Sequence, residues 1–218
     1  IEFAGNIFAE PDADGRIGTV YLRQIRPIVD RKEMLDNKII KLPDEKLLMR
    51  SDMALGHGVM DNVRHVVYVK EGAFDSLRTR EIAAEVADIN KELTDAGQPY
   101  ILLGPGRWGT SDPALGIPVR WPQIANARLI VESALPGFRI EPSQGTHFFQ
   151  NLTSFGTGYF TIDMQAGSGY LDMGYLDAMP AEEETEFIRV VRFDEPLTIA
   201  INGMKSKGVV MKPGIADT

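Results

Sequence analysis

The loop Gly104-Pro-Gly-Arg-Trp-Gly109 carries the spacing most suggestive of chemistry in this chain. Gly-x-Gly-x-x-Gly lets backbone amides approach a phosphate closely, and here it follows Tyr100-Ile-Leu-Leu103, an apolar run that reads as a strand. The second half of a dinucleotide site is missing, because Pro113 and Pro118 break Thr110–Pro118 before a long helix can begin. What remains is a glycine-rich turn at the end of a strand. There Arg107, with the hydroxyls of Thr110 and Ser111, can hold an anion under the cover of Trp108. The same residues suit a tight loop in which Gly104, Gly106 and Gly109 supply positive φ while Trp108 and Trp121 simply pack. A second candidate is His147, in Ser143-Gln-Gly-Thr-His-Phe-Phe-Gln-Asn151. Histidine carries phosphoryl groups and acts as a general base near neutral pH, but Phe148 and Phe149 beside it equally suit a packed imidazole. His57, in Gly-His-Gly, and His65, alternating within a strand, are weaker candidates.

The third constellation lies in the first thirty residues. Glu2 on one strand can meet Gln24 and Arg26 on its hairpin partner, since antiparallel pairing brings distant positions within side-chain reach. A carboxylate and a guanidinium placed so can share one nucleotide, the carboxylate through Mg²⁺ and Arg26 directly on phosphate. By periodicity alone the segment is an ordinary half-buried hairpin.

These residues need elements to position them. Ile1–Phe8 and Thr19–Val29 are β-prone and joined by the turn formers Glu10-Pro-Asp-Ala-Asp-Gly15, which predicts a hairpin over 1–30. Residues 31–62 are irregular and charged and read as a connector. From residue 63 onward an α/β domain is expected. Val63–Lys70 is a strand, and Ser76–Ala96 is a helix with Ile82, Val86, Ile89 and Leu93 on one face. Asp75 or Ser76 caps that helix, Gly97 ends it, and Tyr100–Leu103 returns as a parallel strand to make a βαβ unit. Pro122–Glu132 mixes helical and strand signals, Gly145–Phe155 suits a helix, and Gly158–Asp163 a strand. Phe187–Phe193, Leu197–Ile201 and Gly208–Lys212 read as antiparallel strands separated by turns at Asp194-Glu-Pro196 and Asn202-Gly203. Glu182–Glu184 reads as a solvated loop. The expected fold class is therefore mixed α/β: a βαβ-containing sheet, an N-terminal hairpin and a small antiparallel β segment at the C-terminal end.

Composition narrows the partners. With 23 basic residues scattered among 31 acidic ones and a net charge of −8, no basic stripe is available to track nucleic acid or an anionic membrane surface. The absence of cysteine excludes disulfides and thiolate metal sites and is compatible with a reducing, cytoplasmic setting. No apolar run reaches the ~20 residues of a membrane span. The start at Ile1, in what reads as mid-strand, suggests a piece of a longer polypeptide, whose remainder would be its first partner.

Ile1-Glu-Phe-Ala4 followed by Val20-Tyr-Leu-Arg-Gln-Ile-Arg-Pro27 resembles the close of the ATP-grasp-type nucleotide domain in phosphoenolpyruvate synthases and pyruvate phosphate dikinases. Those enzymes end that domain with an Ile-Glu-Phe or Ile-Glu-Trp strand and a Gln-x-Arg-Pro strand. The resemblance implies a magnesium- and ATP-dependent phosphotransferase (a kinase-type transferase), with Glu2 on Mg²⁺, Gln24 and Arg26 lining the phosphates, and pyruvate as the small anionic substrate. Leu102–Pro113, Leu115–Val119 and Pro142–Ser154 are similar to the C-terminal region of large bacterial proteins grouped with these enzymes. Three features depart from the pattern. The hairpin loop is longer, the Gly-Gly-x-x-Ser/Thr-His signature of the phosphohistidine domain is replaced by the partial echo Gly145-Thr-His147, and the roughly 250 residues of a phosphoenolpyruvate barrel are not present. The other expectation is a non-catalytic metabolite-binding or regulatory α/β module.

Overall fold

The computed structural model describes residues 2–8, 10–24, 42–134 and 156–214. The chain divides into two compact units, Ile1–Met34 and Leu35–Thr218. The first is the expected hairpin, β1 (Glu2–Ile7) antiparallel to β2 (Gly18–Gln24). Its turn is built by Asp12, whose Oδ1 accepts the backbone N–H groups of Asp14 and Arg16, and by Gly15 at φ 76°.

The second unit is one ten-stranded mixed sheet. Its strands are β3 (Leu47–Ser51), β4 (Met53–Leu55), β5 (Gly58–Val69), β6 (Tyr100–Pro105) and β9 (Ala127–Ser133), with β10 (Gly158–Ile162), β11 (Tyr170–Leu171), β12 (Ala181–Glu184), β13 (Ile188–Asn202) and β14 (Lys207–Met211). The order is β11-β3-β14-β13-β5-β6-β9-β10-β4, with β12 paired on β13. A separate two-stranded ladder joins β7 (Arg107–Trp108) to β8 (Gly116–Ile117). Four central strands, β5, β6, β9 and β10, run parallel, and every other pairing in the large sheet is antiparallel.

Chain connectivity forces this sheet to curl. Only Asp52 separates β3 from β4, so their ends lie within a few residues' reach although β3 and β4 sit near opposite ends of the strand order. The ends meet accordingly: Ser51 Oγ donates to the Thr161 carbonyl of β10 at 2.7 Å, and the Ala54 amide donates to Ser206 O. Leu48, Val66, Ile101, Val131, Phe160, Phe193 and Ile201 fill one side of the curled sheet, where the short helix α2 (Met173–Ala178) adds Leu176. Helix α1 (Thr79–Asp95) covers the other side with Ile82, Val86 and Ile89, each 2% exposed or less. Burying each of these side chains contributes about 1.5–3 kcal/mol. Strand β6 is buried along its whole length because it is covered on both sides, and its apolar run is the sequence mark of that burial.

Three expectations need correcting. The expected connector over 31–62 instead contributes β3, β4 and the start of β5 from residue 47 onward; these short strands with charged flanks carry too little alternation to be read. Asp194-Glu-Pro196 is not a turn. β13 runs through it as one strand with an irregular register between Arg192 and Leu197, where a proline without an N–H is accommodated at a bulge. Glu182–Glu184 lies in strand β12 rather than in a loop. Asn202-Gly203 does open a hairpin, with Asn202 paired to Lys207 and Asn202 Oδ1 accepting the Lys205 amide. Among the described residues no helix is long and apolar enough to cross a membrane.

Candidate functional site

The four parallel strands end at Val69, Pro105, Ser133 and Ile162, and the Gly104 loop leaves from this edge. The C-terminal ends of parallel strands are where α/β sheets commonly hold ligands. Gly104 pairs with Glu132 of β9. The indole of Trp108 folds back onto Gly104, where a Cβ would sit 2.4 Å from Trp108 Cζ2 and 3.1 Å from Val69 Cγ2. Trp108 is 1% exposed, and its Nε1 donates to Val131 O at 3.1 Å. Gly106 and Gly109 hold φ of 66° and 83°. The first glycine is thus required by the indole, the other two by the backbone path.

A phosphate cradle needs unengaged amides, so the destination of each N–H decides what the loop can do. The Gly106 amide donates to Ser133 O, Arg107 to Leu115 O, Trp108 to Glu132 Oε1 and Gly109 to Ile117 O. Four consecutive donors are therefore engaged within the protein. Anion binding at this loop would rest on side chains: Arg107, which is half-buried, Thr110, also half-buried, and exposed Ser111. Thr110 Oγ1 already accepts the Asp112 amide at 3.2 Å, which leaves its hydroxyl proton to donate.

Glu132 holds this arrangement and was not singled out from the sequence. It is fully buried, its Oε1 accepts the Trp108 amide at 3.1 Å, and its Oε2 accepts the Tyr159 hydroxyl at 2.5 Å. Thr161 Oγ1 donates in turn to the Tyr159 oxygen at 3.2 Å. A carboxylate out of water is tolerated only when hydrogen bonded, and these donors supply that requirement. Glu132 is fully buried and holds the loop through the Trp108 amide. The available signal was a lone acid directly after the apolar run Leu129-Ile-Val131.

No family model, curated protein or solved structure matches this chain.

The remaining candidates separate into two groups. In the hairpin, the register sets Glu2 directly opposite Gln24, while Arg26 lies outside the described residues. His147 lies outside them as well. His65 is far along β5 from the loop, paired with Tyr100 at the start of β6. It is 3% exposed, its Nε2 lies 3.0 Å from Glu182 Oε2, and its buried Nδ1 has no hydrogen-bond partner. Burial holds the imidazole below its ordinary pKa, against the pull of Glu182. It is a packed histidine with a carboxylate beside it, as its alternation in the strand suggested. No group of three or more His, Asp and Glu side chains able to hold a metal occurs among the described residues.

Proposed function

We propose that this chain contributes the closing strands of a Mg²⁺-ATP site in a cytoplasmic phosphotransferase resembling phosphoenolpyruvate synthase and pyruvate phosphate dikinase. The observation that supports the reading is the register of β1 and β2, in which Glu2 lies opposite Gln24. A two-stranded hairpin is marginal by itself in water, and this one leaves Ile7 91%, Ile17 73%, Val20 73% and Tyr21 57% exposed. Such a surface suits a strand pair that belongs to a larger sheet.

In this reading Glu2 provides the hard oxygen ligand that Mg²⁺ takes, and Gln24 and Arg26 hold phosphate oxygens. Catalysis rests on positioning and charge neutralisation, with pyruvate as the anionic acceptor and His147 as a candidate phosphoryl carrier. ATP with Mg²⁺ supplies the phosphoryl group. A second reading, favoured by the placement of Arg107, Thr110 and Ser111 at the C-terminal edge of the parallel strands, makes the second unit a module that binds an anionic metabolite through side chains.

The deciding experiment incubates the full-length parent polypeptide with Mg²⁺, ATP and pyruvate and quantifies AMP, ADP and phosphoenolpyruvate, with Glu2→Gln alongside. Formation of AMP and phosphoenolpyruvate, abolished in Glu2→Gln, is expected. Absence of nucleotide turnover in the wild type would reject the phosphotransferase reading and leave the binding module.

A further inference from the structure

A groove of about 670 Å³ is lined by α1 and the 3₁₀ turn Trp121–Gln123. Its volume is that of a small-molecule site. Arg80, Arg120 and Gln123 supply its polar side chains, Ala83 its small-residue floor, and Pro118 and Pro122 its stiff walls.

Hydrogen-bond accounting gives the groove one polarity. Among the described residues no acid lines it. Two acids of α1 beside it are engaged elsewhere: Glu81 pairs with Arg78, and Glu85 accepts from Thr185 and Phe187. Arg80 and Arg120 make no ion pair among the described residues. The Gln123 Oε1 accepts the Arg120 amide at 2.7 Å, which leaves its NH₂ to donate. Proline has no N–H, and the carbonyl of Pro122 already accepts from Asn90 Nδ2. The described lining therefore offers two guanidinium forks and an amide donor, with no carboxylate among the described lining residues, on a chain whose net charge is −8.

The geometry points to a binding site for a small phosphate-bearing anion in this groove, with Arg80 and Arg120 as the recognition residues. Guanidinium forks match phosphate oxygens in pairs, and two of them in one groove suit a pyrophosphate or a phosphate ester better than a single-charged ion. None of these residues belongs to the hairpin or to the Gly104 loop, so the assignment stands or falls separately from the proposed phosphotransferase.

Inorganic pyrophosphate titrated into the chain by calorimetry at fixed ionic strength tests it. One saturable site is expected, weakened on the order of tenfold or more by the double substitution Arg80→Gln/Arg120→Gln and unchanged by Arg107→Gln. Both arginines are exposed and without ion pairs, so the double variant should fold, which circular dichroism checks. Citrate in a parallel titration separates phosphate from carboxylate recognition. Absence of saturation at millimolar pyrophosphate, binding retained in the double variant, loss on Arg107→Gln alone, or preference for citrate would each overturn the assignment.

Discussion

Gly104→Ala separates the packing role of the Gly104 loop from any ligand role. The added Cβ would meet Trp108 Cζ2 at 2.4 Å, Cη2 at 3.0 Å and Val69 Cγ2 at 3.1 Å. The indole has nowhere easy to go. Its Nε1 is held by Val131 O, its own backbone amide by Glu132, and it is 1% exposed. Forcing an extra methyl into such a contact costs about 1–3 kcal/mol. Losing the indole hydrogen bond adds ~1 kcal/mol, while restricting the unfolded chain returns about 0.4–1 kcal/mol. A net loss of ~1–3 kcal/mol follows. Gly97→Ala is the companion variant, because its φ is 66° but nothing lies within 4 Å of a Cβ there, so it reports left-handed backbone strain alone. Urea unfolding followed by circular dichroism should show a lower midpoint with unchanged slope for Gly104→Ala. In a Trp121→Phe background, tryptophan emission should also report a displaced Trp108. A neutral Gly104→Ala with unshifted emission would refute the claim that Gly104 exists to admit the indole.

Two further outcomes follow from buried polar groups. Asn90 Oδ1 accepts both the Tyr100 hydroxyl at 2.9 Å and the Asn126 amide at 3.2 Å, and its Nδ2 donates to Pro122 O. Asn90→Leu should therefore lose about 2–4 kcal/mol in thermal or urea unfolding despite its similar volume, and a change below ~0.5 kcal/mol would show that this network adds nothing. For His65, burial lowers the folded pKa below 6.5, more than Glu182 raises it, with Arg192 and Arg64 also lowering it. The unfolded chain then takes up the proton first as pH falls, so this stability is complete above 6.5 and is lost progressively below it. Unfolding midpoints from about pH 8 to about pH 5.5 should decline in the wild type and less in His65→Gln; equal slopes would exclude His65 as the source.

Much of the second unit was legible because burial left periodic marks. Ile82, Val86 and Ile89 recur at helical spacing and do face the sheet, and Gly97 follows the helix end in the left-handed region. The expected cap is displaced, because Asp75 accepts the Leu77 amide of a 3₁₀ turn, Ser76–Arg78, while the helix itself begins at Thr79 after Arg78, which makes no side-chain cap. The antiparallel hairpin at the N-terminal end is present, with its second strand described over Gly18–Gln24 and the rest of the expected Thr19–Val29 outside the described residues. Other features carried no local mark. A three-residue strand such as Met53–Leu55 has no period to detect, and its place beside β10 depends on a partner more than a hundred residues away. The curl of the sheet is likewise set by which strands pair, information that no window of neighbouring residues contains. Pro196 misled because a proline is usually a strand's end, whereas here a change of register absorbs it.

The Gly104 loop shows why spacing alone underdetermines chemistry. Glycines at three fixed positions serve a phosphate only if the N–H groups they expose remain without partners. In this chain they serve a tryptophan and a buried glutamate: Gly104 makes room for the indole, and the Glu132 carboxylate takes one of the amides a phosphate would need. The two uses compete for the same donors, so filling the pocket with Trp108 and engaging the amides of residues 106–109 removes the cradle. Anion binding at the loop is then left to side chains, the Arg107 guanidinium and the hydroxyls of Thr110 and Ser111. Arg80 and Arg120 line a groove that carries no acid among the described residues, the electrostatic condition an anion needs.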